Sequence, residues 1–301
     1  MMRTAAIIAA CAACGPSAGR DHNGDDDTTI DGNTNQPPGD AAECKKIDVL
    51  FVIDNSGSMG DEQTNLLANF PTFVSLLAAT GDYRVAVTTT GRDYTWYQAT
   101  PIGNIPDSQD GGDNGKLLHP AACNMLHPWI DPSDPDPLAE FECVAHVGTS
   151  GPSEEMPLGA IADAFGPRMT DGTNTGFHRP DALLAVVVLT DENDCSYQQP
   201  VTLGFTESLC SSQMEPVATY KQLLDTYTGD PSRWAVAVIA GMGPGQCTST
   251  FGMADEATRL KDFVNLIGPN AVMSSICDGD LSIGLMHALD TFASACGNII
   301  L

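Results

Sequence analysis

Positive charge is what this sequence has least of. Lys and Arg together number 13 against 39 Asp and Glu, a formal net charge of −26 in 301 residues. That excludes a nucleic-acid partner, because phosphate binding needs a basic footprint. Beyond Cys11-Ala12-Ala13-Cys14 no Cys-x-x-Cys pair occurs, so a zinc ribbon is not indicated. The six histidines are scattered, and none stands in a strand-end loop beside a candidate serine. Gly57-Ser58-Met59-Gly60 lacks the Gly-x-Ser-x-Gly spacing of a strand-to-helix nucleophile. A Ser-His-Asp hydrolase is therefore disfavoured, and His119, His127, His146 and His178 read as loop residues. The apolar N-terminal segment Ala5–Ala10 is too short to span a bilayer.

What is present is a chain long enough for one large domain plus extras, with 42% apolar residues to build a core. Ten cysteines in a Gly-, Pro- and Asp-rich chain imply an oxidising compartment. Residues 1–14 carry Arg3, the short apolar run and small residues before Cys11 and Cys14. They read as a secretory signal and resemble that of a bacterial lipoprotein, with Cys11 or Cys14 lipidated. Residues 15–43 hold almost nothing apolar and read as a flexible acidic tether. Residues 44–301 form the domain.

Within the domain, Asp48–Ile53 is a continuous apolar run after its first residue, the signature of a strand buried on both faces. Asp61–Ala79 has helical apolar spacing, with Pro71 expected to bend or split it. Tyr83–Thr90 is a β-branched strand. Residues 91–147 hold seven of the twenty prolines with Cys123 and Cys143, and read as an irregular insertion with one edge strand. Glu154–Phe165 is expected as a helix, Leu183–Thr190 as the strongest buried strand, and Met214–Tyr227 as a helix. Trp234–Ala240 follows as a strand, Ala254–Ile267 as a helix, Ala271–Ile276 as a last strand and Leu281–Ala295 as the last helix. This alternation predicts an α/β fold, a doubly wound, mostly parallel sheet with helices on both faces. Ligands then bind beyond the carboxyl ends of the strands, near the switch in strand order. Asp54 and Asp191 both stand at such ends.

Asp54-Asn55-Ser56-Gly57-Ser58-Met59-Gly60 brings one carboxylate and two hydroxyls to one point. These are hard oxygen donors, suited to magnesium, manganese or calcium. The strand, the Asp-x-Ser-x-Ser spacing and the Met-Gly that follows resemble the metal-ion-dependent adhesion site of von Willebrand factor type A (VWA) domains. The resemblance spans about residues 47–295. Phe177-His178-Arg179-Pro180-Asp181-Ala182-Leu183-Leu184 followed by Thr190-Asp191-Glu192-Asn193-Asp194-Cys195-Ser196 also looks like VWA-containing lipoproteins of myxobacteria-like bacteria. It implies a VWA/Rossmann-like fold and a metal held by Asp54, Ser56, Ser58, a second-loop threonine and Asp191. Thr149 fits the threonine, with Ser150 and Ser153 as alternatives. Glu192 stands where the family often has glycine, and with Asp194 it adds negative charge that favours calcium. The implied function is non-enzymatic: a cell-surface binding module whose metal engages an acidic side chain of a protein partner. The implied location is the bacterial cell envelope, lipid-anchored at the outer membrane. The competing reading is a metal-dependent phosphotransferase-type hydrolase with Asp54 as nucleophile. It needs a second aspartate two residues on, where Ser56 stands.

Eight cysteines follow the signal, which predicts four disulfides whose connectivity the sequence does not fix. The simplest choice is local pairing, Cys123–Cys143, Cys195–Cys210 and Cys247–Cys277, leaving Cys44 and Cys296 as a pair across the domain ends. In some VWA domains ligand binding is coupled to a slide of the final helix. By the resemblance, a Cys44–Cys296 bond would block that slide and fix the affinity.

Overall fold

The computed structural model describes residues 45–197, 200–207, 209–210 and 214–297. Cys11, Cys14, Cys44 and the predicted tether lie outside them. The chain divides at Gly39/Asp40, and the described residues belong to the second part.

Five parallel strands make the central sheet. They are β1 (Lys46–Ile53), β2 (Asp82–Thr89), β5 (Leu183–Leu189), β7 (Trp234–Ala240) and β10 (Ala271–Ser275), in the order β10-β7-β5-β1-β2. The helices are α1 (Gly60–Thr80), α2 (Pro137–Ala145), α3 (Pro157–Phe165), α4 (Pro167–Thr170), α5 (Val217–Thr228), α6 (Thr258–Ile267) and α7 (Leu281–Gly297). Alternate strand residues feed two cores. Val49, Phe51 and Ile53, with Ala185, Val187 and Ile239, pack under α1, α2 and α7. Leu50 and Val52, with Val186, Val188 and Val238, pack under α3, α5 and α6. Two apolar faces are why these strands read as unbroken apolar runs.

One residue breaks that pattern. Asp48 is fully buried in β1, and Arg179 answers it: Nε and Nη2 donate to Oδ1 at 2.9 and 2.7 Å, and the Arg179 N–H donates to Oδ2 at 2.6 Å. Burial raises the Asp48 pKa and Arg179 opposes the rise.

Several expectations change in the fold. Pro71 neither splits nor ends α1; it lies on the exposed side of the helix. α3 begins at Pro157, not at Glu154, because proline takes the first helical position. Its free N–H groups are capped from a distance: Leu158 N donates to Asp194 Oδ1 at 3.0 Å and Gly159 N to Ser196 Oγ at 2.8 Å.

The insertion is more ordered than its composition suggests. β3 (Tyr94–Thr100) and β4 (Gly103–Gln109) pair antiparallel, and β3 pairs with β6 (Val201–Leu203), giving a separate three-stranded sheet. Tyr94, Met156, Tyr197, Val201 and Leu203 form its small core. The single expected edge strand reduces to one bridge, Val85 with Ile130, beside β2. Asp136 caps α2 through Ala139 N, and α2 delivers Phe141 to the core against Phe51 and Phe70. A short hairpin, β8 (Cys247–Ser249) and β9 (Gly252–Ala254), follows β7.

Three predicted disulfides are present: Cys123–Cys143, Cys195–Cys210 and Cys247–Cys277. Cys296 is disulfide-bonded. Among the described residues no helix is long and apolar enough to cross a membrane.

Candidate functional site

The sheet order changes direction between β1 and β5. From β1 the chain moves out to β2, and from β5 it moves the other way through β7 to β10. Ile53 and Leu189 are register partners, and Asp54 N donates to Leu189 O at 2.9 Å. The carboxyl ends of the two central strands therefore release Asp54 and Asp191 side by side, at the switch point where open α/β sheets bind ligands.

Asp54 is fully buried. Its Oδ1 accepts from Ser56 N at 2.8 Å and its Oδ2 from the Thr190 hydroxyl at 2.6 Å. The Ser56 and Ser58 hydroxyls lie 3.1 Å apart. Asp191 is buried against Ser58 and Asp54, and its Oδ1 has no hydrogen-bond partner. Ser58 is exposed at the rim. Four of the five predicted residues thus meet at one place.

The second loop is docked onto the first. Gln63 Nε2 donates to Asp54 O at 3.0 Å and to Gly148 O at 2.8 Å, and Gly151 N donates to Asn55 O at 2.8 Å. The fit is close at Gly151: a Cβ there would lie 2.1 Å from Asn55 Oδ1, so a larger residue would have to displace the buried Asn55 side chain. Thr149, the predicted fifth ligand, is exposed, with its Cγ2 3.7 Å from the place a Cβ on Gly60 would occupy. Ser150 and Ser153 are exposed as well.

Two acids at this edge escaped the sequence reading. Glu155 is fully buried; the Thr90 hydroxyl donates to its Oε2, while its Oε1 is unpartnered. Its carboxyl lies against that of Asp54. Glu62, on the first turns of α1, is buried with its Oε2 unpartnered. The one available signal was the acidic pair Glu154-Glu155 ahead of Pro157, which reads equally well as a helix start. Asp194, expected to add charge here, does not: it caps α3 and pairs with Arg259 at 3.1 Å.

The electrostatics of the edge are one-sided. Burial pushes the Asp54 pKa up to about 6, with Asp191 raising it further, against hydrogen bonds from Thr190 and Ser56. Burial and then the Asp54 charge push Glu155 up to about 9. Burial drives Glu62 and Glu192 each to about 7, and raises Asp191. The strongest charges acting on Asp54, Glu62, Glu155 and Glu192 are carboxylates of this same edge, and the one acting on Asp191 is Asp255. Buried carboxylates ordinarily sit beside a cation. The donor set, carboxylates and hydroxyls with orphaned oxygens, fits a hard divalent cation.

A second cluster does not fit a metal. The Glu154 carboxylate lies near the sulfurs of Cys195 and Cys210, but those sulfurs are joined to each other and offer no thiolate.

No family model matches the chain, and no curated protein matches it in sequence. Solved structures with some likeness include proximal thread matrix protein 1 of the mussel byssus, at 12% identity and TM-score 0.44 over 83% of this chain and 49% of that one. The pilus adhesin SpaC of Lactobacillus rhamnosus GG aligns at 10% identity and TM-score 0.39 over 85% of this chain and 31% of its own. The PilB minor pilin of Streptococcus sanguinis aligns at 12% identity and TM-score 0.41, over 84% and 62%. The chain thus spans less than two thirds of each of these proteins.

Proposed function

We propose that this protein is a divalent-cation-dependent protein-binding module of VWA type, carried on a doubly wound sheet. The observation that carries the reading is the meeting of Asp54 and Asp191 at adjacent strand ends, with Ser56 and Ser58 between them and Asp191 Oδ1 unpartnered. Two apolar cores on opposite sides of one parallel sheet support the doubly wound fold. In this reading Asp54, Ser56, Ser58 and Asp191 hold magnesium, manganese or calcium, with Thr149 at the rim. The bound cation supplies a Lewis-acidic position open to an oxygen of the protein partner. Thr190 and the Ser56 N–H orient the Asp54 carboxylate, and Gln63 holds the first two loops together.

Titration calorimetry on the protein with calcium, magnesium and manganese tests the site. We expect one divalent site in the parent and none in Asp54→Ala; equal binding by both would sink the assignment. Phosphatase turnover by the metal-loaded protein would favour the hydrolase reading instead.

The module is displayed from the bacterial envelope, at the outer membrane, through a lipid on Cys11 or Cys14. Replacing both by Ser should move the protein out of the detergent phase, and unchanged partitioning would reject the anchor. A Cys44–Cys296 bond would tie α7 to the start of β1 and hold the affinity fixed. Two affinity states in a parent with that bond intact would refute the tie.

A further inference from the structure

Glu155 is a buried carboxylate for which the fold supplies no base. It is fully buried, and its Oε1 has no partner. Its carboxyl faces that of Asp54, which in turn adjoins that of Asp191, whose Oδ1 is also unpartnered. Asp54 therefore has a carboxyl neighbour in each of Glu155 and Asp191. A purely structural role does not need an acid here. The backbone of Glu155 is already fixed by Cys195 N, which donates to its carbonyl at 2.7 Å. An amide of the same size would keep the Thr90 hydroxyl bond without setting another carboxyl beside Asp54. Thr149, the ligand the family resemblance suggests, is exposed at the rim and turns a methyl group toward Gly60.

We propose that Glu155 is a direct ligand of the cation held by Asp54, Ser56, Ser58 and Asp191, and that the open position therefore takes a neutral oxygen donor, a hydroxyl or amide carbonyl, in place of a partner's carboxylate. This rests on the metal-site reading above. Two carboxylates cancel the double charge of the cation, and Glu155 leaves the site with one net negative charge. Glu62 and Glu192 add to the same sign. An incoming carboxylate is repelled at contact distance, whereas a hydroxyl or carbonyl dipole is not. Calcium accepts six to eight oxygens in flexible geometry and suits a third carboxylate better than magnesium, which keeps several waters.

The test uses calcium and magnesium titrations of the full chain in parent, Asp54→Ala, Glu155→Gln and Thr149→Ala, then acetate titrations of the calcium-loaded forms. We expect Asp54→Ala to lose binding, Glu155→Gln to lose roughly tenfold or more in calcium affinity with a smaller change for magnesium, and Thr149→Ala to lose less. Acetate should bind calcium-loaded Glu155→Gln more tightly than the parent. Urea unfolding in EDTA should find Glu155→Gln at least as stable as the parent, since the amide keeps the bond from the Thr90 hydroxyl and takes one carboxyl away from Asp54. Binding that survives Asp54→Ala overturns the metal site itself. Binding lost in Asp54→Ala and unchanged in Glu155→Gln overturns this proposal alone, as does a Glu155→Gln variant destabilised in EDTA. Tighter acetate binding by the parent overturns the neutral partner. If Glu155→Gln does not fold, a loss in Thr149→Ala as large as that in Asp54→Ala returns the position to threonine and overturns the assignment.

Discussion

Arg179→Ala should unmask the buried acid in the middle of the sheet. Asp48 is wholly buried in β1 and Arg179 is 13% exposed. The substitution removes the two guanidinium bonds to Oδ1 and leaves the Arg179 N–H bond to Oδ2 as backbone. It also breaks a pair with Asp82, but that carboxylate is half-exposed and contributes at most about 1 kcal/mol. Stranding one partner of a buried pair costs about 3–5 kcal/mol, a large share of the roughly 5–15 kcal/mol that holds a domain folded. Asp48 can escape ionisation by taking a proton. That costs about 1.4 kcal/mol for each pH unit above the unfolded value of about 3.9, so roughly 4 kcal/mol at pH 7 and 1.5 kcal/mol at pH 5. The sign follows from the raised folded pKa: the stability linked to this group is present below the unfolded pKa and is lost as pH rises toward the folded one. The variant should therefore lose more stability at pH 7 than at pH 5. Urea unfolding of parent and variant at the two values measures this. A loss under about 1 kcal/mol at pH 7, or the same loss at both values, would refute the reasoning. Asp48→Val combined with Arg179→Met should recover most of the stability, because an apolar pair of similar volume replaces the ions.

Gly151→Ala would set a Cβ 2.1 Å from Asn55 Oδ1 and push the second loop off the first; calorimetry should find cation affinity weakened by about tenfold while the far-UV spectrum is unchanged. EDTA should lower the thermal midpoint and calcium restore it, by an amount that corresponds to about 2.7 kcal/mol at a free concentration of one hundred times Kd. An Asp54→Ala variant indifferent to both reagents is expected. Phe141→Ala should cost about 3–5 kcal/mol in urea unfolding, since this residue of the insertion is fully buried against Phe51 and Phe70.

The central strands and the first loop were legible because local chemistry determines them. β1, β5 and β7 are apolar on both faces, so their runs stand out whatever surrounds them. Asp54, Ser56 and Ser58 are contiguous, so the loop that gathers them is a local event. Asp191 could be placed beside Asp54 because both follow strands of one parallel sheet. Cys123–Cys143, Cys195–Cys210 and Cys247–Cys277 each join cysteines adjacent in the sequence and are pairs observed.

Tertiary structure decided the rest. The insertion's strands β3 and β4 are half-buried or exposed and carry no strong alternation; β3 is held by β6, a segment a hundred residues away. The first-turn N–H groups of α3 are satisfied by Asp194 and Ser196, which no local pattern can anticipate. Asp194, Glu155 and Asp48 are all acids in an acidic chain, and the sequence ranks none above the others. Folding sends Asp194 to a helix cap and an arginine, Asp48 to Arg179, and Glu155 to the edge beside Asp54 with no base at all. Residue type fixes what an acid can do, but its pKa and its partners depend on burial and on neighbours brought from distant parts of the chain.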